Sequence, residues 1–251
     1  MNQGSVVLIG AGPGDLDLLT LKAVKALAKA DIVMLDDLVN PEIIQFAPQA
    51  KVIKVGKRGG CRSTPQPFIL RLMRRYAKQG KQVARVKGGD PMIFGRAGEE
   101  IQYLQVEGIA VSVINGISSA LAASASLNTS LTQRGMANGV TFITAHLQDD
   151  SEPDWQALAR SGCTLAIYMG LQRVASICAE LSQHLPKDTP AVAVSSVSTA
   201  KQQQLVSSIS NLPQLIQETG FPGPAIILVG EAMGLVNASF AEMETLHQAA
   251  M

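Results

Sequence analysis

SVVLIGAGPGD, residues 5–15, sets an apolar β-branched run directly before a glycine-rich turn. Val6 to Ile9 have the character of a buried strand. Glycines at 10, 12 and 14 then allow a tight turn or a close ligand approach. The same pattern returns at QVARVKGGDP, residues 82–91, where a strand runs into Gly88-Gly89-Asp90. Around these two stretches, strands are predicted over 31–37, 51–55 and 110–114. Helices are predicted over 20–30, 41–46, 67–78, 98–107 and 117–127. In the helix over 67–78, Phe68, Leu72, Met73 and Tyr76 are expected to face inward. This β–α alternation predicts a mostly parallel sheet with helices on its faces. Two glycine loops at strand ends of one parallel sheet share the edge where ligands bind in such folds.

A second α/β block follows. Strands are expected over 139–145, 164–170, 190–196, 201–209 and 224–230, those over 190–196 and 201–209 paired. Helices are expected over 153–160, 171–184 and 212–219. The loop-like stretch 130–138 places the domain boundary, giving domains 1–134 and 135–251.

The chain has 251 residues, 47% apolar and 16% charged, a balance that excludes a disordered chain. Aromatics at 4% and a net charge of +1 argue against a nucleic-acid binder. Cys61, Cys163 and Cys178 are far apart and form no CxxC, and His146, His184 and His247 lack ligand spacing. No metal is therefore expected. The amino terminus has no basic region followed by an apolar run, and no apolar run reaches about 18 residues. A cytoplasmic protein without a membrane partner is expected. GxSxG, HExxH and P-loop patterns are missing, so acyl transfer, zinc proteolysis and Walker-type hydrolysis have no support.

Charge is unevenly spread. Residues 51–96 carry thirteen basic side chains and one acid, Asp90. Arg71, Arg74, Arg75 and Lys78 read as a solvated helix face. Arg58, Arg62 and Arg96 lie in glycine-rich loops, where functional residues concentrate. A polyanionic ligand or a nucleic acid would account for the asymmetry.

As a dinucleotide fingerprint, GAGPGD is defective. Asp15 stands where the third glycine belongs, and Pro13 removes an amide that could face a phosphate. Asp36 does end the next strand, where a ribose-binding acid would sit. The motif alone leaves open a dinucleotide, another nucleoside-like ligand and a purely structural turn. Asp90 and Glu99 read equally well as helix caps. Arg96 in its glycine loop suits carboxylate recognition. Met169, at a strand end, has core packing as its ordinary explanation.

Taken in order, LIGAGPGDLDLLTLKA, DDLV, VGKRGG, VKGGDPMIFGRAGEE, LTQRG, ITAH, YMGL and PAIILVGE resemble the tetrapyrrole (corrin/porphyrin) methylase family across residues 5–234. The resemblance implies two α/β domains with a cofactor cleft between them, and a homodimer. It implies S-adenosylmethionine as cofactor, lying against Pro13, Gly88, Gly89, Asp90, Ser118, Ser119, Met169, Pro224, Ala225 and Ile226. It implies uroporphyrinogen III as the acceptor, methylated at C2 and C7 to precorrin-2. Asp36, Arg96, Glu99 and Arg134 match the catalytic and substrate-pocket positions, with Met169 beside them. Leu35, Asn115 and Gln133 depart from the family pattern. An acceptor carrying eight carboxylates also gives the basic window a purpose.

Overall fold

The structure is a computed structural model that describes residues 4–56, 64–146 and 151–236. The chain divides into two compact units, residues 1–118 and 119–251. The division falls before the boundary expected from the loop-like stretch 130–138, so the helix after residue 118 belongs to the second unit.

The first unit is a five-stranded parallel sheet. Its strands are β1 (Ser5–Gly10), β2 (Ile32–Leu35), β3 (Lys51–Lys54), β4 (Gln82–Lys87) and β5 (Ala110–Ile114). Their order across the sheet is β3-β2-β4-β1-β5, with every pairing parallel. Helices α1 (Leu21–Leu27), α2 (Gln66–Lys78) and α3 (Ala97–Val106) make the crossovers. The expected strands are all present: β1 and β5 keep their bounds, β4 runs on to Lys87, and β2 and β3 are shorter, as is α1, while α2 begins a residue earlier. The segment over 41–46 is a 3-10 helix, capped by the Asn40 side chain and opened by Pro41.

Strands β1, β2 and β4 alternate between two cores. Ile9, Val33, Ala84 and Val86 pack with Ala23 and Leu27 of α1. Val6, Leu8, Ile32, Met34 and Val83 pack with Ile69 and Met73 of α2 and Leu104 of α3. On α2 the buried ridge is Ile69, Met73 and Ala77, at four-residue spacing. The stripe Phe68, Leu72, Tyr76 is the flank of that ridge, and Phe68 is 48% exposed, which corrects the expectation that it faces inward. Leu104 has no exposed surface. Leu104→Ala is expected to cost about 2–5 kcal/mol in denaturant unfolding, from lost transfer energy plus the cavity left behind. A loss under about 0.5 kcal/mol would show that the α3 core does not hold this unit together.

The second unit opens with α4 (Ser119–Ser126) and contains β6 (Val140–Thr144), α5 (Trp155–Arg160), β7 (Thr164–Tyr168) and α6 (Val174–Leu181). The chain continues through β8 (Pro190–Ser195), β9 (Gln203–Ser208), α7 (Leu212–Thr219) and β10 (Ala225–Val229). The sheet order is β6-β7-β10-β8-β9. Only β6 and β7 run parallel; β10 lies antiparallel between β7 and β8, and β8 pairs antiparallel with β9. Trp155, Ile177, Leu181, Leu212 and Ile216 cover one face of this sheet. Cys163 and Cys178 are free, and burial pushes the Cys178 thiol up to about 11. Cys61 lies outside the described residues. Among the described residues, no helix is long and apolar enough to cross a membrane, and no cluster of His, Cys, Asp or Glu is arranged to hold a metal ion.

Candidate active site

The carboxyl edge of the first sheet collects four loops. They follow β1 (Gly10 onward), β2 (Asp36-Asp37), β4 (Gly88-Gly89-Asp90) and β5 (Asn115-Gly116). Gly12 and Gly89 exchange backbone hydrogen bonds, Gly12 N to Gly89 O at 3.2 Å and Gly89 N to Gly12 O at 2.7 Å. Both take positive φ, +70° and +64°, a conformation that glycine adopts without steric cost. Gly10 and Gly116 meet even more closely: a Cβ on Gly10 would stand 2.4 Å from Gly116 N. The glycines of all three loops therefore let backbone pass against backbone. That is the physical content of the glycine spacing noted in the sequence.

The Asp90 carboxylate is occupied in joining these loops. One oxygen accepts from Met92 N at 2.8 Å, the other from Asn115 Nδ2 and Gly116 N, both at 3.1 Å. Asp90 thus locks the β4 loop to the β5 loop. It does not cap α3, whose N-cap is Arg96 without a side-chain cap bond. Nor does Glu99 cap it. Asp15, in the position that spoils the dinucleotide fingerprint, caps a 3-10 turn by accepting from Asp17 N at 2.9 Å. Pro13 is half-buried in the same loop.

The groups at this edge suit a pyrophosphate poorly. Pro13 withholds an amide, and the carboxylates of Asp15, Asp36 and Asp90 are already held by Asp17 N, by Arg85 and by the β4 and β5 loops. Lys87, the basic residue closest to the glycines of β4, is buried against Glu100. Burial first, and the Arg85 guanidinium second, hold its ammonium below the ordinary lysine value. It is not free to meet a phosphate. A glycine-crossed edge whose nearest lysine is buried and paired fits a nucleoside that carries a sulfonium better than one that carries a pyrophosphate.

The loop between Asp90 and α3 is wound tightly. Phe94 and Arg96 take positive φ, +50° and +57°, unusual for residues with a Cβ. Gly95 separates them, and a Cβ there would meet Pro91 O at 2.6 Å and Lys87 Cε at 3.2 Å. Arg96 and Glu99 form a two-pronged pair, Nε to Oε1 at 2.9 Å and Nη2 to Oε2 at 2.7 Å, with both side chains about half exposed. The hydrogen bond from Arg96 holds the Glu99 carboxyl below the ordinary glutamate value, and the bond to Glu99 raises the Arg96 guanidinium. Met92 and Phe94 are exposed apolar side chains on this loop.

Asp36 accepts from Asp37 N at 3.0 Å and from Arg85 Nη2 at 3.0 Å. The sequence reading placed Arg85 and Lys87 in a window that faces a polyanion. The structure corrects this, because both are buried in an ion cluster with Glu100 and Asp36. Arg74 and Lys78 pair with Glu107 on the solvated face of α2, as expected of that helix. Lys51, Lys54, Arg71 and Arg75 are exposed, while Lys57, Arg58 and Arg62 lie outside the described residues.

In the second unit, the end of β7 meets the start of β10. Tyr168 pairs with Ile226, so Met169 comes beside Ala225. Met169 takes φ +56° and is 52% exposed, so core packing does not explain it. A cis bond joins Gly223 to Pro224. Ile226 has its side chain buried, leaving only backbone to offer a ligand. Ser118, which ends the first unit, is buried, and Ser119 opens α4. Arg134 is exposed in the turn that also holds Gly135 at φ +81°, with no ion pair among the described residues.

Sequence reasoning missed Glu100. The signal was present: Ala97, Glu100 and Leu104 form the buried stripe of α3. A carboxylate on that stripe calls for buried cations opposite, and Arg85 and Lys87 sit on the β4 face that α3 covers.

The family profile of the Tetrapyrrole (Corrin/Porphyrin) Methylases matches residues 5–213, and the chain belongs to that family. It is 52% identical, over 91% of its length and 94% of the relative's, to a uroporphyrinogen-III C-methyltransferase of Pseudomonas aeruginosa. Its fold matches a uroporphyrin-III C-methyltransferase of Thermus thermophilus, solved as a complex with S-adenosylhomocysteine, at a TM-score of 0.80 and 35% identity. That match covers 92% of this chain and all of the other. A cobalt precorrin-4 methyltransferase matches at a TM-score of 0.82 but 28% identity, over 91% of this chain and 95% of the other. Fold alone does not separate acceptors within the family; identity favours the first two.

Proposed function

We propose that the chain transfers methyl groups from S-adenosylmethionine to uroporphyrinogen III, at C2 and C7, giving precorrin-2. The observation that carries this reading is the near full-length identity to the Pseudomonas aeruginosa enzyme. The glycine-crossed edge, where a nucleoside can lie against bare backbone, supports it. When bound, S-adenosylmethionine supplies an electrophilic methyl group. Pro13, Gly88, Gly89, Ser118, Ser119, Met169, Pro224, Ala225 and Ile226 are the proposed cofactor residues. Asp90 serves them by fixing the β4 and β5 loops to one another.

The chain's own residues orient the acceptor and handle its proton. Arg96 and Arg134 are exposed guanidiniums suited to acceptor carboxylates. Carbon methylation leaves a proton to be removed, and Glu99 and Asp36 are the carboxylates at hand. Orientation supplies much of the rate, because a well-aligned pair reacts as if at very high local concentration. A homodimer without nucleic-acid or membrane partners, working in the cytoplasm, belongs to the same proposal.

Anaerobic incubation with uroporphyrinogen III and S-adenosylmethionine, read by mass spectrometry of the tetrapyrrole, tests this. A gain of two methyl groups is expected. No gain, while S-adenosylhomocysteine still binds, would discard this acceptor in favour of a later corrin intermediate.

A further inference from the structure

Glu100, Arg85 and Lys87, buried beneath α3, have no role in the function proposed above. Glu100 Oε1 accepts from three donors: Gln66 Nε2 of α2 at 3.1 Å, Arg85 Nε of β4 at 3.2 Å and Lys87 Nζ of β4 at 3.3 Å. Arg85 continues through Nη2 to Asp36 Oδ2 at 3.0 Å and through Nη1 to Val86 O at 3.3 Å. Glu100 is fully buried, Arg85 is 2% exposed and Lys87 4%. Glu100 Oε2 has no hydrogen-bond partner although it is buried.

Such a cluster is a poor way to gain stability. Apolar residues of similar volume often hold a core equally well or better, because desolvation offsets the attraction between buried charges. Ala97 and Leu104 already seat α3 on the sheet without it. What the cluster adds is direction. An apolar contact slides; a carboxylate shared by three donors from two elements does not. Glu100 follows Glu99 in sequence, so fixing it fixes the turn that presents Arg96 and Glu99 at the edge. Through Arg85 the same carboxylate sets the Asp36 oxygen. Lys87 completes the arrangement, because its stem runs under the loop at Gly95, where a Cβ would touch its Cε.

We infer that Glu100, acting with Arg85, is a positioning residue: it holds the Arg96–Glu99 pair and the Asp36 carboxylate in one fixed arrangement for the acceptor. This rests on the proposed function for what is positioned, not for the positioning itself. Glu100→Gln keeps the shape and loses the charge, leaving two buried cations opposed by Asp36 alone. Glu100→Gln combined with Lys87→Met removes the surplus cation and keeps an aliphatic stem beneath Gly95.

The test uses the full chain with two readouts, methyl-transfer kinetics and amide hydrogen exchange. In Glu100→Gln, kcat is expected to fall about thirtyfold or more, with KM for both substrates and S-adenosylhomocysteine affinity within about twofold. Exchange is expected to quicken about tenfold or more at residues 36–38 and 94–100, and to stay unchanged in the second unit. The double variant is expected to recover most of both. The inference is overturned by an unchanged kcat. It is equally overturned if cofactor affinity is lost in step with kcat and exchange rises throughout the chain, or if the double variant is no better than the single one. Should the wild type transfer no methyl group to uroporphyrinogen III, the proposed acceptor fails. The localised exchange and its recovery then decide the positioning role by themselves.

Discussion

Arg96→Ala is expected to lower kcat/KM for uroporphyrinogen III by about 10- to 100-fold while leaving S-adenosylhomocysteine binding intact. Hydrogen bonds to a charged group contribute about 1.5–3 kcal/mol each, which corresponds to that range. The guanidinium stands half exposed at the start of α3, with Glu99 as its partner in the chain. A carboxylate of the acceptor offers the same planar face that Glu99 offers, so the fork is pre-shaped for it. The backbone does not confound the result. Alanine and arginine both carry a Cβ, so φ of +57° is no worse for one than for the other. Arg96→Lys keeps the charge and loses the fork, and should recover only part of the activity. The same variants report on Glu99. Its carboxyl lies below the ordinary glutamate value chiefly because of the bond from Arg96. A depressed carboxyl favours the fold above its unfolded value and loses that contribution as pH falls through the folded value. Removing Arg96 should therefore move the Glu99 titration upward toward the ordinary value, read by carbon-13 NMR. The pair is largely in solvent, so the melting temperature should hardly change. Unchanged kcat/KM in Arg96→Ala would take this residue out of the acceptor site.

Much of this molecule is legible from the sequence, and the reasons are specific. SVVLIG and QVARVK are parallel strands because β-branched and apolar runs followed by glycine suit central strands covered on both faces. The glycines that follow them are where backbone crosses backbone, and their spacing alone marks the edge. The strands over 190–196 and 201–209 pair as expected. A different limit governs the charges. Thirteen basic residues in one window looked like a single surface, but a count along the chain does not say which way each side chain points. Strand alternation would have separated them: Val83, Arg85 and Lys87 share one face of β4, and Val83 is core. Read with the buried stripe of α3, that alternation would have predicted the cluster around Glu100. Phe68 was misplaced for a related reason. Two adjacent apolar stripes on α2 compete for the sheet, and only tertiary packing decides that Ile69, Met73 and Ala77 win. The antiparallel insertion of β10 between β7 and β8 was not legible either, because strand order is a non-local property that no single segment encodes.

Gly116→Ala should damage the site through the backbone alone. A Cβ there would lie 2.3 Å from Gly89 O, 2.8 Å from Gly10 C and 2.9 Å from Gly10 Cα. All three are main-chain atoms of neighbouring strand ends, so no side chain can swing aside. The β5 loop must retreat, and with it goes the bond from Gly116 N to Asp90 that ties the β4 loop in place. Overpacking of this kind costs about 1–3 kcal/mol and occasionally more. For a chain of this size that lowers the melting temperature by roughly 2–12 °C. The larger effect should fall on cofactor affinity, because Gly88 and Gly89 are held by that same tie; a loss of about tenfold or more in S-adenosylhomocysteine binding by calorimetry is expected. Gly98→Ala is the matched control. Nothing lies within 4 Å of its added Cβ, and it sits in the first turn of α3. Alanine there should be neutral or stabilising by up to about 1 kcal/mol, since a helical glycine loses more freedom on folding. The contrast isolates the crossing itself, as both changes add one methyl group to one glycine of the same unit. If Gly116→Ala binds S-adenosylhomocysteine as tightly as Gly98→Ala does, the cofactor does not depend on the glycine crossing at this edge, and the assignment of Gly88 and Gly89 must be abandoned.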